Sequence, residues 1–231
     1  MRLLLVAAVP AEVDAIAGAL REPAAANLGP YAASAGTAGG GEAWVLAAGV
    51  GAAAAAAATA TALAASGPWD AVLSVGIAGG FPGRAAIGDV VVATAALAAE
   101  LGAEFPDGFR GLTDLGVPGD RFACPLAEPL TAGLRRGSTA PVTGPVLTVS
   151  TVTGTAARAA ALSARHAPVA EAMEGSGVAT AAAAFGVPFG ELRTVSNVVG
   201  ECDRSRWEIG RALGALRAAA RALFEEPPWT R

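Results

Sequence analysis

The side chains best suited to chemistry in this sequence follow apolar runs that have the character of buried strands. Glu12 follows the first run, Glu174 follows PVAEAM, and Asn197 follows the run that ends in RTVS. In open α/β sheets, ligands bind where strands end and loops begin. Each residue also has a structural interpretation, because a carboxylate in the first turn of a helix complements the helix dipole and asparagine is common in turns.

Smaller residues accompany these side chains at the same predicted strand ends. A glycine turn, GIAGG at residues 76–80, follows one strand, Met173 precedes Glu174, and Ser196 precedes Asn197. Taken singly, a glycine turn is more often structural and a methionine more often fills a core. The joint order of these segments along the chain therefore carries more information than any one of them.

An alternation of apolar strands and helices must position these side chains. The predicted strands are RLLLVAA, AWVLAAG, DAVLSVGIAGG, GDVVVATAAL, VLTVSTV, PVAEAME and FGELRTVSNVV. The predicted helices begin near Pro10 and after Gly51, and include TAARAAALSARH, GSGVATAAAAFG and the amphipathic RWEIGRALGALRAAARALFEE. Strands that are apolar on both faces and alternate with helices indicate an α/β layered fold. Residues 1–231 are predicted to form one domain, with an irregular Gly- and Pro-rich excursion at about 100–139.

Composition excludes several classes of function. The formal net charge is −4 without a long basic run, which argues against nucleic-acid binding. The chain contains no lysine, so Schiff-base and P-loop lysine chemistry are absent. With one histidine and two cysteines, Cys124 and Cys202, no metal site is expected. His166, beside a proline at a predicted helix end, is interpreted as structural.

Two stretches resemble membrane or export signals only superficially. The N-terminal apolar run is short for a signal peptide and is followed at once by acidic residues. Residues 43–69 carry no charge, but they are mostly Ala, Gly and Thr and divide naturally into a strand, a turn and a helix. We therefore expect a cytoplasmic protein with reduced cysteines and no membrane span.

Four segments in a fixed order resemble the nucleoside phosphorylase and nucleosidase superfamily. They are AVPAEVDAI, VGIAGG, EAMEGSGVA and RTVSN, and the resemblance extends from Arg2 to about Gly200. The pattern is closest to that of the 5′-methylthioadenosine/S-adenosylhomocysteine nucleosidases, while VSTVTGTAARAAAL and VSNVVGECDRSRW resemble the futalosine hydrolases of the same superfamily. The resemblance implies a three-layer α/β domain with a twisted, mixed, mostly parallel sheet flanked by helices. It also implies no cofactor or metal, and a homo-oligomer, commonly a dimer, in which a neighbouring subunit closes the pocket.

The resemblance implies a catalytic role for each carboxylate. Hydrolysis of an N-glycosidic bond passes through an oxocarbenium-like ribosyl transition state. Glu12 matches the carboxylate that orients and deprotonates the attacking water. Glu174 matches the carboxylate that binds the ribose hydroxyls and favours a cationic sugar, and Met173 matches the residue packed on the ribose. The backbone at Ala78 and Gly79 should lie close to the ligand.

Further substrate contacts follow from the same resemblance. The purine should be lined by the loop Thr153-Gly154-Thr155-Ala156-Ala157, and Ala172 should lie beside the ribose contact. The 5′ pocket should draw on the 100–139 excursion, with Phe105, Phe109 and Arg110 as candidates. Futalosine ends in an aromatic carboxylate, with which an arginine could pair.

Asn197 stands where the adenine-specific nucleosidases have an aspartic acid. Adenine presents an exocyclic amine donor next to the N7 acceptor, whereas hypoxanthine presents two acceptors, O6 and N7. An ionised carboxylate would repel two acceptors, while an amide NH₂ can donate to either. Asn197, with Ser196 placed to orient its amide, therefore predicts a 6-oxopurine nucleoside as substrate, with futalosine as the leading candidate.

Hydrolysis is favoured over phosphorolysis at this site. Phosphorylase relatives carry an early Gly-Asp-Pro-x-Arg-like element, which reads VPAE here at residues 9–12. A carboxylate at that point would repel phosphate, although Arg84 remains a candidate phosphate ligand. Ile77 departs from the pattern, because the nucleosidases often have a small hydroxyl residue there. The alternatives are an adenine-releasing nucleosidase, a 6-oxopurine nucleoside phosphorylase and an inactive nucleoside-binding protein.

Overall fold

The computed structural model of the protein describes residues 1–201 and 203–225, so Cys202 lies outside the described residues. Helices within this part are α1 (Pro10–Ala17), α2 (Ala52–Ala65), α3 (Ala127–Arg136), α4 (Ala156–His166), α5 (Gly175–Ala184) and α6 (Ile209–Glu225). The strands are β1 (Arg2–Ala7), β2 (Arg21–Leu28), β3 (Tyr31–Ala38), β4 (Gly41–Ala47), β5 (Ala71–Gly80), β6 (Val90–Ala98), β7 (Gly102–Phe105), β8 (Gly108–Gly111), β9 (Arg121–Ala123), β10 (Val142–Thr148), β11 (Ala170–Ala172) and β12 (Phe189–Val198).

One large mixed sheet forms the centre of the molecule, in the order β11-β10-β6-β12-β5-β1-β4-β3-β2, with β9 paired to β6. Parallel pairings join β4, β1, β5 and β12, and also β6, β10 and β11. Strand β11 additionally pairs with β5, so that β5, β12, β6, β10 and β11 close into a ring. The C-terminal end of β5 therefore lies between the end of β12 and β11, the strand that leads to Glu174.

Helices cover both faces of the sheet and bury two apolar clusters. Helices α2 and α5 pack together on one face, while α1, α3 and α6 pack on the other. Small residues allow the first pair to approach closely: a Cβ added to Gly177 in α5 would lie 2.0 Å from the carbonyl oxygen of Ala52 in α2. The predicted three-layer α/β arrangement with a mixed sheet is confirmed.

Most predicted elements are present, and the differences have physical reasons. The hairpin β2–β3 was missed, because half of its residues are Ala or Gly and the edge strand β2 is mostly exposed. Residues 76–80 continue β5 to Gly80 between two paired strands, which confirms the predicted strand DAVLSVGIAGG and not the turn that was also expected at its end. The excursion at 100–139 contains the short hairpin β7–β8, strand β9 and helix α3.

The uncharged stretch at 43–69 forms most of β4 and all of α2, as predicted. Among the described residues, no helix is both long enough and apolar enough to cross a membrane.

Candidate active site

Glu12 is held at the start of α1 by backbone donors from two segments. Pro10 begins the helix, and the Glu12 side chain turns back so that Oε2 accepts from the N–H groups of Ala8 at 2.9 Å and Val9 at 3.3 Å. Its Oε1 accepts from the N–H of Ile77 in β5 at 2.8 Å. Burial raises the pKa of Glu12, against the opposing effects of these hydrogen bonds and of the positive charge on Arg193.

Gly76 leaves open space that borders both Glu12 and Arg193. A Cβ added to Gly76 would lie 2.5 Å from Glu12 Oε1 and 2.9 Å from Arg193 Nη1. Any side chain at this point of β5 would displace one of the two charged groups. The glycine-rich sequence of residues 76–80 thus serves close approach of side chains within a strand rather than a turn.

Arg193 is the cation of the site, and its side chain is almost completely buried in β12. Its Nε donates to Glu191 Oε1 at 2.9 Å, Nη1 to Glu174 Oε2 at 3.2 Å, and Nη2 to Ser74 Oγ at 2.7 Å. Burial alone would lower the pKa of Arg193, but the surrounding carboxylates Glu191, Glu174 and Glu12 outweigh it and raise that pKa.

Sequence reasoning missed Arg193 and Glu191. The available signal was the presence of two charged residues, two positions apart, in a strand whose other residues are uncharged. Residues so spaced face the same side of a sheet, and charged side chains are seldom fully buried unless they are paired. The pattern could therefore have indicated a buried ion pair.

Glu174 immediately precedes α5 and joins the same cluster. Its Oε2 accepts from Arg193 and from the N–H of Met173 at 3.3 Å, and its Oε1 accepts from the N–H of Gly51 at 3.2 Å. The side chain makes no capping hydrogen bond to α5, although Glu174 is the N-cap residue. Its carboxylate is therefore committed to the cluster around Arg193 rather than to the end of its own helix.

Asn197 lies near the end of β12, beside β5. The register between the two strands shifts between Val195 and Asn197, which marks a β-bulge at Ser196. The hydroxyl of Ser196 contacts Asn197 Oδ1 at 2.8 Å and the carbonyl oxygen of Ala78 at 3.2 Å. Among residues 1–201 and 203–225, Asn197 Nδ2 has only a long contact, 3.5 Å, to the carbonyl oxygen of Val198. The amide oxygen is thus satisfied while the amide nitrogen retains donor capacity.

Strand β5 connects the two halves of the site. Glu12 contacts β5 at Gly76 and Ile77, and a Cβ added to Gly79 would lie 3.2 Å from Asn197 Nδ2. Two to three residues of a strand span roughly 7–10 Å, a distance that a ribose and its attached base can bridge. The structure therefore brings Glu12 and Glu174 together around Arg193. Asn197 lies farther along β12, the strand that carries Arg193.

The predicted purine loop is tied to the neighbouring strand ends. The N–H of Thr153 donates to Glu171 Oε1 at 2.9 Å, and its carbonyl oxygen accepts from the N–H of Gly200 at 2.9 Å. Thr155 caps α4 by accepting from the N–H of Arg158 at 3.2 Å. Gly154, which precedes this cap, is partly exposed. Ala156 and Ala157 form the first turn of α4 and are exposed.

The remaining predicted residues occupy three places. Ala172 is buried in β11, and the partly buried Met173 packs against the small apolar cluster that includes Phe81 and Val149. Phe105 lies in β7 with the Arg110 guanidinium 4.3 Å from its ring centre. A groove of about 280 Å³ lies between this hairpin and α4, and Arg165 stacks on Phe109 there at 4.5 Å.

Two other sequence candidates lie away from the carboxylate cluster. Arg84 is exposed and donates to the carbonyl oxygen of Ala167 at 3.4 Å. His166 is partly buried in the last turn of α4, the position predicted for it, and burial lowers its pKa. Within the described residues, no group of three or more His, Cys, Asp and Glu side chains is arranged to hold a metal ion.

The family model of the phosphorylase superfamily matches residues 2–226. The chain therefore belongs to the phosphorylase superfamily, as its motifs predicted.

Within this superfamily, the chain is similar to proteins named futalosine hydrolase. It is 49% identical over 226 residues to the one from Acidothermus cellulolyticus, covering 96% of this chain and 90% of the relative. It is 55% identical over 157 residues to the one from Streptomyces coelicolor, covering 68% of this chain and 66% of the relative, just under two thirds of its length.

Solved structures share the fold. A futalosine hydrolase mutant of Helicobacter pylori superposes with a TM-score of 0.83 at 18% identity, covering 98% of this chain and 99% of the other. A 5′-methylthioadenosine/S-adenosylhomocysteine nucleosidase from Colwellia psychrerythraea, in complex with adenine, gives 0.77 at 22% identity, covering 98% and 97%.

Proposed function

We propose that this protein hydrolyses the N-glycosidic bond of futalosine, releasing hypoxanthine and dehypoxanthine futalosine, as a step of menaquinone biosynthesis. The relatives named futalosine hydrolase, at 49% and 55% identity, support this assignment. The structural observation that carries it is the amide of Asn197, whose oxygen is engaged by Ser196 and whose nitrogen is left able to donate.

Glu12 acts as the general base. A water held against its carboxylate attacks C1′ as the bond from C1′ to the purine nitrogen breaks, and the proton of that water passes to Glu12. The buried environment raises the pKa of Glu12, which makes its carboxylate a stronger base than one in water. The resting hydrogen bonds from Ala8, Val9 and Ile77 hold the carboxylate in place.

Glu174 binds the ribose hydroxyls and stabilises positive charge on the sugar. Its pairing with Arg193 at 3.2 Å fixes its position without exposing it to solvent. Met173, next to Glu174, packs on the ribose, and Ala172 continues the same wall. Electrostatic stabilisation by groups fixed before the reaction is an effective way to lower a barrier in a water-poor site.

Asn197 reads the leaving base. Its amide nitrogen donates to O6 or N7 of hypoxanthine and stabilises the negative charge that develops as the base departs. The backbone at Ala78 and Gly79 forms the floor beneath the base, and Gly154, Thr155, Ala156 and Ala157 form its outer wall. The hairpin that carries Phe105 contributes to the pocket for the 5′ substituent.

Water is a better match than phosphate as the nucleophile. Arg193 is already engaged by Glu191, Glu174 and Ser74, and the carboxylate of Glu12 would repel a phosphate dianion. Arg84 is exposed and hydrogen-bonded to Ala167. These contacts favour hydrolysis over phosphorolysis.

We further propose that the protein works in the cytoplasm as a homodimer. Apolar side chains are exposed at Val9, Val50 and Ile209 near the site, and at Leu101 and Val117 in the excursion. An interface covering them would also close the nucleoside pocket. Sedimentation equilibrium would give the mass of a dimer, and a monomer at micromolar concentration would contradict this part of the proposal.

Product analysis by chromatography tests the proposed reaction. Futalosine, inosine, methylthioadenosine and S-adenosylhomocysteine are each incubated with the protein, with and without phosphate. We expect hypoxanthine from futalosine at a rate independent of phosphate. Release of adenine would instead indicate the nucleosidase alternative, phosphate-dependent turnover would indicate a phosphorylase, and no turnover of any nucleoside would leave the binding-protein alternative.

A further inference from the structure

Glu191 is a buried carboxylate to which the mechanism above gives no role. It lies in β12 two residues before Arg193, its exposure is 0%, and its Oε1 accepts from Arg193 Nε at 2.9 Å. A carboxylate without solvent is costly unless a partner compensates it. A neutral apolar residue would fill this strand position at lower cost, so the charge calls for an explanation.

The contacts of Arg193 show what Glu191 controls. Its three nitrogens are divided among Glu191, Glu174 and Ser74, one to each partner. Because the guanidinium is planar and rigid, a fixed Nε contact determines where Nη1 and Nη2 point. Without that contact, the group could rotate into a two-pronged pair with a single carboxylate, which is its preferred geometry.

The two carboxylates available for such a pair belong to the reaction. Glu174 and Glu12 both act electrostatically on Arg193, and the gap left by Gly76 separates Arg193 from Glu12. A two-pronged pair with Glu12 would occupy the oxygens that must take a proton from water. A two-pronged pair with Glu174 would shift the group that binds the ribose.

Gly175 provides a second link between Glu191 and the site. A Cβ added to Gly175 would lie 2.5 Å from each carboxylate oxygen of Glu191. Glu191 therefore packs directly against the backbone that follows Glu174, while it also binds the guanidinium that pairs with Glu174. A single side chain contacts both the charge partner and the chain neighbour of the ribose-binding carboxylate.

We propose that Glu191 is a positioning residue for the hydrolysis, which holds the Arg193 guanidinium toward Glu174 and Ser74 and so keeps the Glu12 carboxylate free to act as base. Glu191 does not touch substrate in this role. The inference rests on the proposed function for its kinetic readout, but its geometric claim concerns Arg193 alone.

The charge of Glu191 should also affect Glu12 through Arg193. The charged groups that act on Glu12 are Arg193 on β12 and Glu174 before α5, and Glu191 on β12 interacts with both of them. Neutralising Glu191 leaves more of the positive charge of Arg193 to act on Glu12, which lowers the pKa of the Glu12 carboxyl. The acidic limb of the kcat profile should then move to lower pH.

The test compares Glu191→Gln with Glu191→Leu. Glutamine keeps an acceptor oxygen for Arg193 Nε, so we expect a modest loss of kcat together with the shift of the acidic limb. Leucine removes the acceptor, and misplacement of a site group by about 1 Å can cost on the order of 100-fold in rate. We expect a kcat loss of that order for Glu191→Leu, with the Kd for hypoxanthine unchanged.

Asp120→Asn is the matched control. Asp120 is also a buried carboxylate, and its Oδ1 accepts from the N–H of Thr113 at 3.1 Å in the excursion rather than from Arg193. We expect this variant to lose thermal stability while keeping the wild-type pH profile. If it reproduced the pH shift of Glu191→Gln, the effect would reflect general loss of stability and the inference would be wrong.

An NMR readout separates this inference from the proposed function. In arginine-labelled protein, the Nε–H of Arg193 should exchange slowly in the wild type and in Glu191→Gln, and rapidly in Glu191→Leu. If the wild type hydrolyses no nucleoside but this pattern holds, the proposed function fails and the positioning role of Glu191 stands. If Glu191→Leu does not fold, an unchanged pH profile or a rapid Nε–H exchange in Glu191→Gln would still overturn the inference.

Discussion

The hydroxyl of Ser196 lies 2.8 Å from the amide oxygen of Asn197, at a bulge where β12 leaves its register with β5. A bulge changes the direction of a side chain. This bulge places the hydroxyl of Ser196 where it orients the amide of Asn197. The direction of the amide therefore follows from the chain itself, before any base is bound.

Asn197→Asp should reverse the preference for the base. An ionised carboxylate repels O6 and N7 of hypoxanthine, whereas it can accept from the exocyclic amine of adenine. We expect kcat/KM for futalosine to fall about 100-fold, in keeping with the cost of leaving buried polar groups unmatched. Activity on methylthioadenosine is measured in parallel, and equal kinetics of both proteins on futalosine would refute this account of specificity.

Ser196→Ala isolates the orienting contact. The hydroxyl contributes a hydrogen bond worth about 1 kcal/mol, so we expect kcat/KM for futalosine to fall about 5-fold without a change of preferred base. Measuring both purine classes distinguishes this result from that of Asn197→Asp. A loss of discrimination between hypoxanthine and adenine would show that Ser196 reads the base directly.

Glu12→Gln should remove the base while preserving the shape of the site. General-base catalysis contributes about 10²–10⁴-fold, so we expect kcat to fall within that range. Binding of hypoxanthine, measured by calorimetry, should change little, because Asn197 and the purine loop are untouched. Near-wild-type kcat in Glu12→Gln would remove Glu12 from the role of base.

Activity and stability should depend on pH in opposite directions in the weakly acidic range. Burial raises the pKa of Glu12, Glu171 and Glu191 above the ordinary glutamate value of 4.5. A raised pKa means that the folded state binds more protons than the unfolded state. The stability of the fold is therefore greatest at pH values below the ordinary glutamate pKa, and it declines as the pH rises through the raised pKa of the folded state. Catalysis requires ionised Glu12 and should increase over that interval. Thermal unfolding and kcat, measured at the same pH values, give both curves.

Glu12→Gln is the control for the stability curve. Glutamine does not titrate, so the variant should show a smaller decline in Tm with rising pH than the wild type. A decline of equal size in both proteins would assign the effect to the other buried carboxylates.

The sequence predicted the strands and helices that are long and strongly apolar, such as β5 and α2. It also predicted Glu12, Glu174 and Asn197 as a set, and the structure places the two carboxylates around one cation. Arg193 was not predicted, because its role depends on its contact with Glu174 and on the empty space at Gly76. The spacing of Glu191 and Arg193 within β12 could have indicated an ion pair, but contacts between separate elements are tertiary properties that residue type alone does not reveal.

Gly76→Ala should damage the site through a single methyl group. The added Cβ would lie 2.5 Å from Glu12 Oε1, which is closer than any van der Waals contact, so the Glu12 carboxylate must move. We expect kcat to fall about 100-fold, the loss associated with a shift of about 1 Å in a catalytic group. Gly214→Ala is the matched control, because nothing lies within 4 Å of a Cβ at that exposed position in α6.

The control should keep wild-type kcat and gain about 0.5–1 kcal/mol in stability, since alanine is favoured over glycine within a helix. Circular dichroism melts and steady-state kinetics on both variants complete the comparison. If Gly76→Ala kept full activity while its fold was intact, Glu12 and Arg193 would not need the open space at Gly76. The geometric basis of the proposed mechanism would then be wrong.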